Sequence, residues 1–233
     1  MDRSRPAIAR SSSPSSDRSS VAGSAVAARM RRSSGAEAPT RGTDRARVAQ
    51  ASACPKNPQI RAILEARPGD ANISRTALTL PHSEFLDQSH IRTVCTRPQL
   101  ASQTCPSAAV YGNAEAVSPL LDGKLKGPVY LVSSTHELPD LVADLRGQVN
   151  IQLHGVISSK HGGIKTVFDS VPDVAVKKFI LNMKGGKKSL LVNSENTCSK
   201  KQTAVLNLKG QNGKKVNNNK YKLNISSCGG KKK

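Results

Sequence analysis

Apolar and polar residues alternate along the middle and final thirds of the chain with the period of two that a half-buried β-strand requires. In VNIQLHGVISSKHGGIKTVFDSVP, Val149, Ile151, Leu153 and Ile157 fall on one side of an extended strand, and Asn150, Gln152 and His154 on the other. Past Gly162-Gly163, Ile164, Thr166 and Phe168 alternate with Lys165 and Asp169, which predicts a β-hairpin over residues 149–172. Further strand signals recur at about ten-residue spacing, as in sandwiches and barrels. They cover residues 110–117, 127–133, 140–146, 176–183, 190–193, 204–210 and 221–226. Turns are supplied by Leu120-Leu121-Asp122-Gly123, Val171-Pro172-Asp173, Gly185-Gly186 and Gln211-Asn212-Gly213.

The start of the pattern is ambiguous. Ile60, Ile63 and Leu64 fit one helix face, while Ile60, Ala62, Leu64 and Ala66 alternate as a strand; the Pro68-Gly69-Asp70 turn and the strand-like run from Ile73 to Leu80 favour a hairpin. Residues 81–86, with Pro81 first and Glu84 early, are predicted as a helical turn. No intervening stretch is long enough for a crossover helix, so neighbouring strands are expected to pair antiparallel. The expectation is an all-β fold, an antiparallel β-sandwich of roughly nine to eleven strands, over residues 54–228 as one domain.

Residues 1–53 lack this pattern. They are rich in Arg, Ser and Ala, a composition expected to be disordered. The apolar stretch Val21 to Ala28 is too weak for a secretory signal; an organellar transit peptide fits the Arg and Ser bias better. The abrupt change from Arg to Lys usage along the chain also fits a wrong start or frame upstream of Cys54. No run approaches the roughly eighteen apolar residues of a membrane-spanning helix.

Charge sharpens this division. Residues 1–53 carry ten Arg, no Lys and four acids; residues 54–148 are balanced at nine of each sign; residues 149–233 carry seventeen Lys, no Arg and three acids. So basic a final third attracts polyanions through sequence-independent electrostatics. Lys177, Lys178, Lys184, Lys187, Lys188, Lys200, Lys201, Lys214 and Lys215 are the candidate polyanion-binding residues. Alternatively, lysines between apolar positions are a solvated face that keeps a β surface soluble. Tyr221 and Phe179 are the only aromatic residues near these lysines, few stacking platforms for a nucleic-acid reader. The segment 183–189, MKGGKKS, lacks the Walker spacing and has strand flanks; it is a basic hairpin turn. Residues 229–233 form a basic tail.

Five cysteines offer the clearest covalent chemistry. Sequential pairing joins Cys95 to Cys105 and Cys198 to Cys228, one of three possible connectivities, and leaves Cys54 over. Disulfides imply an oxidising compartment. No Cys-x-x-Cys or close Cys/His cluster suggests zinc, and no metal or cofactor is expected. His82, His90, His136, His154 and His161 fall on turns, loops or polar strand faces, with no Gly-x-Ser-x-Gly elbow, so no catalytic residue is assigned. Asp140 and Asp144, two alternations apart on one strand face, could flank a calcium ion or accept bonds from basic neighbours.

Taken in order, GDANI at 69–73, LPHSEFLDQSHIRTVCTR at 80–97, LLDGKLKGPVYL at 120–131, LPDLVADLRG at 138–147, GGIKTVFDSVPD at 162–173 and MKGGKKSLLVNS at 183–194 resemble a family of uncharacterised, exported β-rich proteins of high-GC Gram-positive (actinobacterial) bacteria. The resemblance covers residues 61–228 and brings no established activity, ligand or catalytic residue. It implies an extracellular or envelope location, and a longer chain with further copies or a signal peptide. The expected function is therefore a non-enzymatic cell-envelope structural or adhesion module with a Lys-rich surface facing anionic polymer. A basic nucleic-acid- or ribosome-associated protein is the alternative; an envelope-polymer hydrolase using Asp140, Asp144 or His136 has no motif support.

Overall fold

A computed structural model describes residues 27–32, 56–67, 69–160 and 163–225. Its strands are β1 (Ala27–Arg32), β2 (Ile60–Glu65), β3 (Ile73–Thr79), β4 (Glu84–Leu86), β5 (Val110–Val117), β6 (Leu125–Val132), β7 (Asp140–Leu145), β8 (Ile151–Lys160), β9 (Gly163–Phe168), β10 (Lys178–Met183), β11 (Leu191–Asn193), β12 (Thr203–Gly210), β13 (Lys215–Lys222) and β14 (Asn224–Ile225). A short α-helix, α1 (Arg97–Ala101), lies ahead of β5.

Twelve strands form one continuous sheet in the order β13-β12-β3-β9-β8-β7-β6-β5-β10-β2-β1-β14, and β4 pairs with β11 in a separate two-stranded sheet. All pairs are antiparallel except β1 with β14. The sheet curls into an open half-barrel. The antiparallel all-β class holds, but a curled open sheet stands in place of the expected sandwich, and among the described residues the second sheet is no more than the two-stranded β4–β11 pair.

Register explains why. Across the sheet, Leu64 pairs with Phe179, Phe179 with Ala116, Ala116 with Leu125, and Ala143 with Leu153. Farther on, Ile157 pairs with Thr166, Thr166 with Leu78, and Leu78 with Leu206. Directly paired residues share a face, so one apolar face runs unbroken from β2 to β12 and is buried by curling on itself. Small residues permit the curl, since Gly112, Ala114, Ala116, Gly127, Ala143 and Gly155 occupy inward positions on β5 to β8. At Gly127 an added Cβ would collide with the Asp144 carbonyl, and at Gly155 it would press on the Phe168 ring. Gly127 thus marks a close approach of two strands that no side chain could enter.

The inner core is built from Val129, Leu131, Leu141, Leu145 and Ile157, with Leu80, Leu190 and Leu191 packed against them. A smaller cluster on the convex face joins Tyr130, Val132 and Val142 to Leu100 of α1, Ala109, Cys95 and Cys105. α1 starts with a capping box: the Gln99 amide donates to the Thr96 hydroxyl, and the Thr96 amide donates to the Gln99 side chain.

Three further expectations change. Residues 81–86 hold only a single turn, closed by the Glu84 amide donating to the Pro81 carbonyl at 3.0 Å, because Glu84–Leu86 extend to pair with Leu191–Asn193. The chain around Pro68-Gly69-Asp70 does not close a hairpin; β2 pairs with β10 and β1, while β3 pairs with β9 and β12 on the opposite wing. Finally, residues 27–32 of the segment expected to be disordered form β1. The rest of residues 1–53 and the tail 229–233 lie outside the described residues.

Candidate functional site

The inward face of the half-barrel is only partly filled. Between its two wings lies a trough of about 410 Å³, lined by Leu64, Leu78, Leu153, Phe168, Phe179 and Leu181 among other mainly aliphatic groups. Each wing contributes alternate residues of its strands, the direct outcome of period-two patterning. Towards its deep side lie the core leucines; towards its open side the lining is half-buried.

One end of the trough is plugged. There β4 and β11, with Leu190 just ahead of β11, place Leu86, Leu190 and Leu191 against the inner core. A polar clip holds this plug in position. The Asn57 amide donates to Asp87 at 2.9 Å and to the Leu191 carbonyl at 3.2 Å, and the Ser89 hydroxyl donates to Asp87 at 2.6 Å. The Ser89 hydroxyl, with Asn57 and the nearby His90, holds the Asp87 carboxyl below its ordinary range against the opposing effect of burial. Buried Ser189 donates to the Pro58 and Leu191 carbonyls and accepts from the Leu191 amide. The Tyr111 hydroxyl accepts from the Arg92 and Thr93 amides under the same segment.

The other end carries a strap. Residues 169–177 run from β9 to β10, which are separated in the sheet by β8, β7, β6 and β5. At one anchor the Val171 amide donates to Ser74, and Asn72 donates to Asp173 at 2.8 Å; at the other the Lys177 amide donates to Val117. Val171, Val174 and Val176 of the strap line the trough, as do Leu120, Leu121 and Val149 from neighbouring turns. Leu120 is 71% exposed and Val149 44% exposed. The trough therefore opens among uncovered aliphatic side chains at its strap end.

The candidate lysines do not converge. Antiparallel order puts Lys177 and Lys178, at the start of β10, at the strap end with Lys214 and Lys215, which begin β13. Lys184, Lys187 and Lys188, after β10, lie at the plug end with Lys200 and Lys201, which precede β12. Several are engaged: Lys178 with Glu65 at 2.7 Å, Lys200 with Glu195 at 2.8 Å, and Lys188 with the Ala108 carbonyl at 2.6 Å and over the Tyr111 ring. Lys184 reaches the Val110 carbonyl. Phe179 points into the trough and Tyr221 is half-buried on β13, so neither offers a bare stacking platform beside these lysines.

The polar strand residues have local partners. Asp144 is buried and takes a two-pronged contact from Arg146, at 3.0 and 2.6 Å, with Gln152 at 3.3 Å. Asp140 takes His136 at 2.8 Å. The Ser134 hydroxyl donates within the same turn, to the His136 and Leu138 carbonyls. Asp140 and Asp144 are four strand residues apart, roughly 13 Å, too far to flank one ion. Among the described residues no group of three or more His, Cys, Asp or Glu side chains converges as a metal site, and no helix is long and apolar enough to cross a membrane.

Cys95 and Cys105 form a disulfide with Cα atoms 5.2 Å apart, closing the loop that carries α1 onto the convex face. Cys198 is also disulfide-bonded. Its candidate partner Cys228 and the leftover Cys54 lie outside the described residues. The trough itself escaped sequence reading. Its signal was present in the small inward residues of β5 to β8 and in the apolar run VPDVAV, which was read as a turn and the start of a strand.

No protein-family model, curated protein or solved structure matches this chain.

Proposed function

We propose that this chain is a non-enzymatic binding module of the cell envelope that holds a long aliphatic chain, such as the acyl tail of a lipid, in the trough of its half-barrel. The observation that carries the reading is the open trough of about 410 Å³ with its mainly aliphatic lining. Its volume falls in the roughly 300–1,000 Å³ range of small-molecule sites. Aliphatic walls without convergent polar groups select for apolar area rather than for a hydrogen-bonding pattern, and each buried methylene contributes ~0.8 kcal/mol. Export is supported by the Cys95–Cys105 disulfide, because such bridges persist in oxidising compartments, and by the resemblance to exported proteins.

Calorimetric titration of the full chain with palmitate tests this, alongside Leu153→Trp, which fills the trough from a half-buried position on β8. Wild type is expected to bind with 1:1 stoichiometry. The variant is expected to lose binding while keeping its thermal midpoint. Absence of wild-type binding, or equal binding by both proteins, overturns the reading.

A further inference from the structure

We infer that the strap end of the half-barrel docks on an anionic phospholipid bilayer. The inference goes beyond the aliphatic-chain reading and does not require it. Five large apolar side chains are exposed among the described residues, and three of them, Leu120, Val149 and Val216, lie at this end. Leu120 and Val149 stand on adjacent turns that are tied together: the Asp122 amide donates to the Gln148 side chain at 2.9 Å, and Gln148 donates back to Asp122 at 3.1 Å. The two aliphatic tips are thus held as one surface, beside the apolar strap. Gln211 of the turn between β12 and β13 donates to the Val171 carbonyl at 3.2 Å and brings that turn to the strap as well.

Charge complements this surface. Of the carboxylates at this end, Glu65 pairs with Lys178 and Asp70 with Arg67, while Asp122, Asp169 and Asp173 keep their charge beside the neutral Gln148, Ser170 and Asn72. Exposed Lys177, Lys214 and Lys215 have no carboxylate partner among the described residues. Aliphatic tips beside free lysines match a headgroup layer over hydrocarbon: the tips enter the acyl boundary and the ammonium groups meet phosphate. Docking would place the mouth of the trough against the layer from which an acyl chain is drawn.

Co-sedimentation of the full chain with vesicles of phosphatidylglycerol and phosphatidylcholine provides the test. Leu120→Asp/Val149→Asp is expected to lower partitioning at least about tenfold. Val156→Asp, on the convex face, should leave it unchanged. Replacing Lys177, Lys214 and Lys215 with Gln should lower partitioning about fivefold per lysine, and this variant touches no apolar contact. Leu153→Trp, with a blocked trough, should still dock; docking without palmitate binding refutes only the aliphatic-chain reading. Absence of vesicle binding by wild type overturns the inference. So does equal binding by the wild type and the Leu120/Val149 variant, which would assign attachment to the basic segments elsewhere in the chain.

Discussion

The curl of the sheet depends on Gly127, and substituting alanine there gives a measurable consequence. An added Cβ would overlap the backbone carbonyl of Asp144 and crowd Leu145, none of which can rotate away. Relief requires β6 and β7 to separate where Lys126 and Arg146 exchange two backbone hydrogen bonds of 2.9 Å. Losing both costs ~2 kcal/mol at about 1 kcal/mol each, in line with the ~1–3 kcal/mol of overpacking a core. Removing glycine's freedom from the unfolded chain returns ~0.4–1 kcal/mol. A net loss of about 1–2 kcal/mol lowers the thermal midpoint by about 2–8 °C for a domain of this size. Gly123, whose added Cβ meets nothing within 4 Å, is the control; Gly123→Ala is expected to be neutral or slightly stabilising. Gly155→Ala should fall between, since the Phe168 ring can swing aside. Urea denaturation measures all three. Equal midpoints for Gly127→Ala and Gly123→Ala would refute the steric basis of the half-barrel.

Three other outcomes are expected. Replacing Cys95 and Cys105 with Ala should cost ~2–4 kcal/mol, read as a lower urea midpoint and faster proteolysis between the two positions. Asp87 has a depressed folded-state carboxyl, so its contribution is fully present above the ordinary carboxylate value of ~4 and fades as pH falls through and below it. Asp87→Asn should flatten that acid limb in stability measured against pH. Thr96→Ala removes the cap of α1 and should cost ~1 kcal/mol, with hydrogen exchange rising first in residues 97–101.

The strands were legible because period-two alternation is a local property. Val110–Val117 appears with the predicted bounds, and β7, β8 and β9 differ from theirs by only a few residues. Their arrangement was less legible, since pairing is decided by faces that meet across the whole chain. The turn at residues 68–70 looked like a hairpin, yet the strands on either side belong to opposite wings. β4 carries a buried Glu84 in a three-residue strand whose partner is about a hundred residues away, so no local pattern marked it. β13 begins as KVNNNK, with almost no apolar alternation, and is held by its ladder to β12. The apolar inward set was readable residue by residue; that it encloses an open trough follows from the curl. The nine candidate lysines share a basic stretch of sequence, and antiparallel order distributes them between both ends of the sheet.

The most direct test of the trough as an aliphatic site is a chain-length series of saturated fatty acids titrated calorimetrically into the full chain. Affinity should rise about fourfold per added methylene, from ~0.8 kcal/mol each, and then level off once the chain fills the roughly 410 Å³ available; an affinity independent of chain length would contradict the assignment.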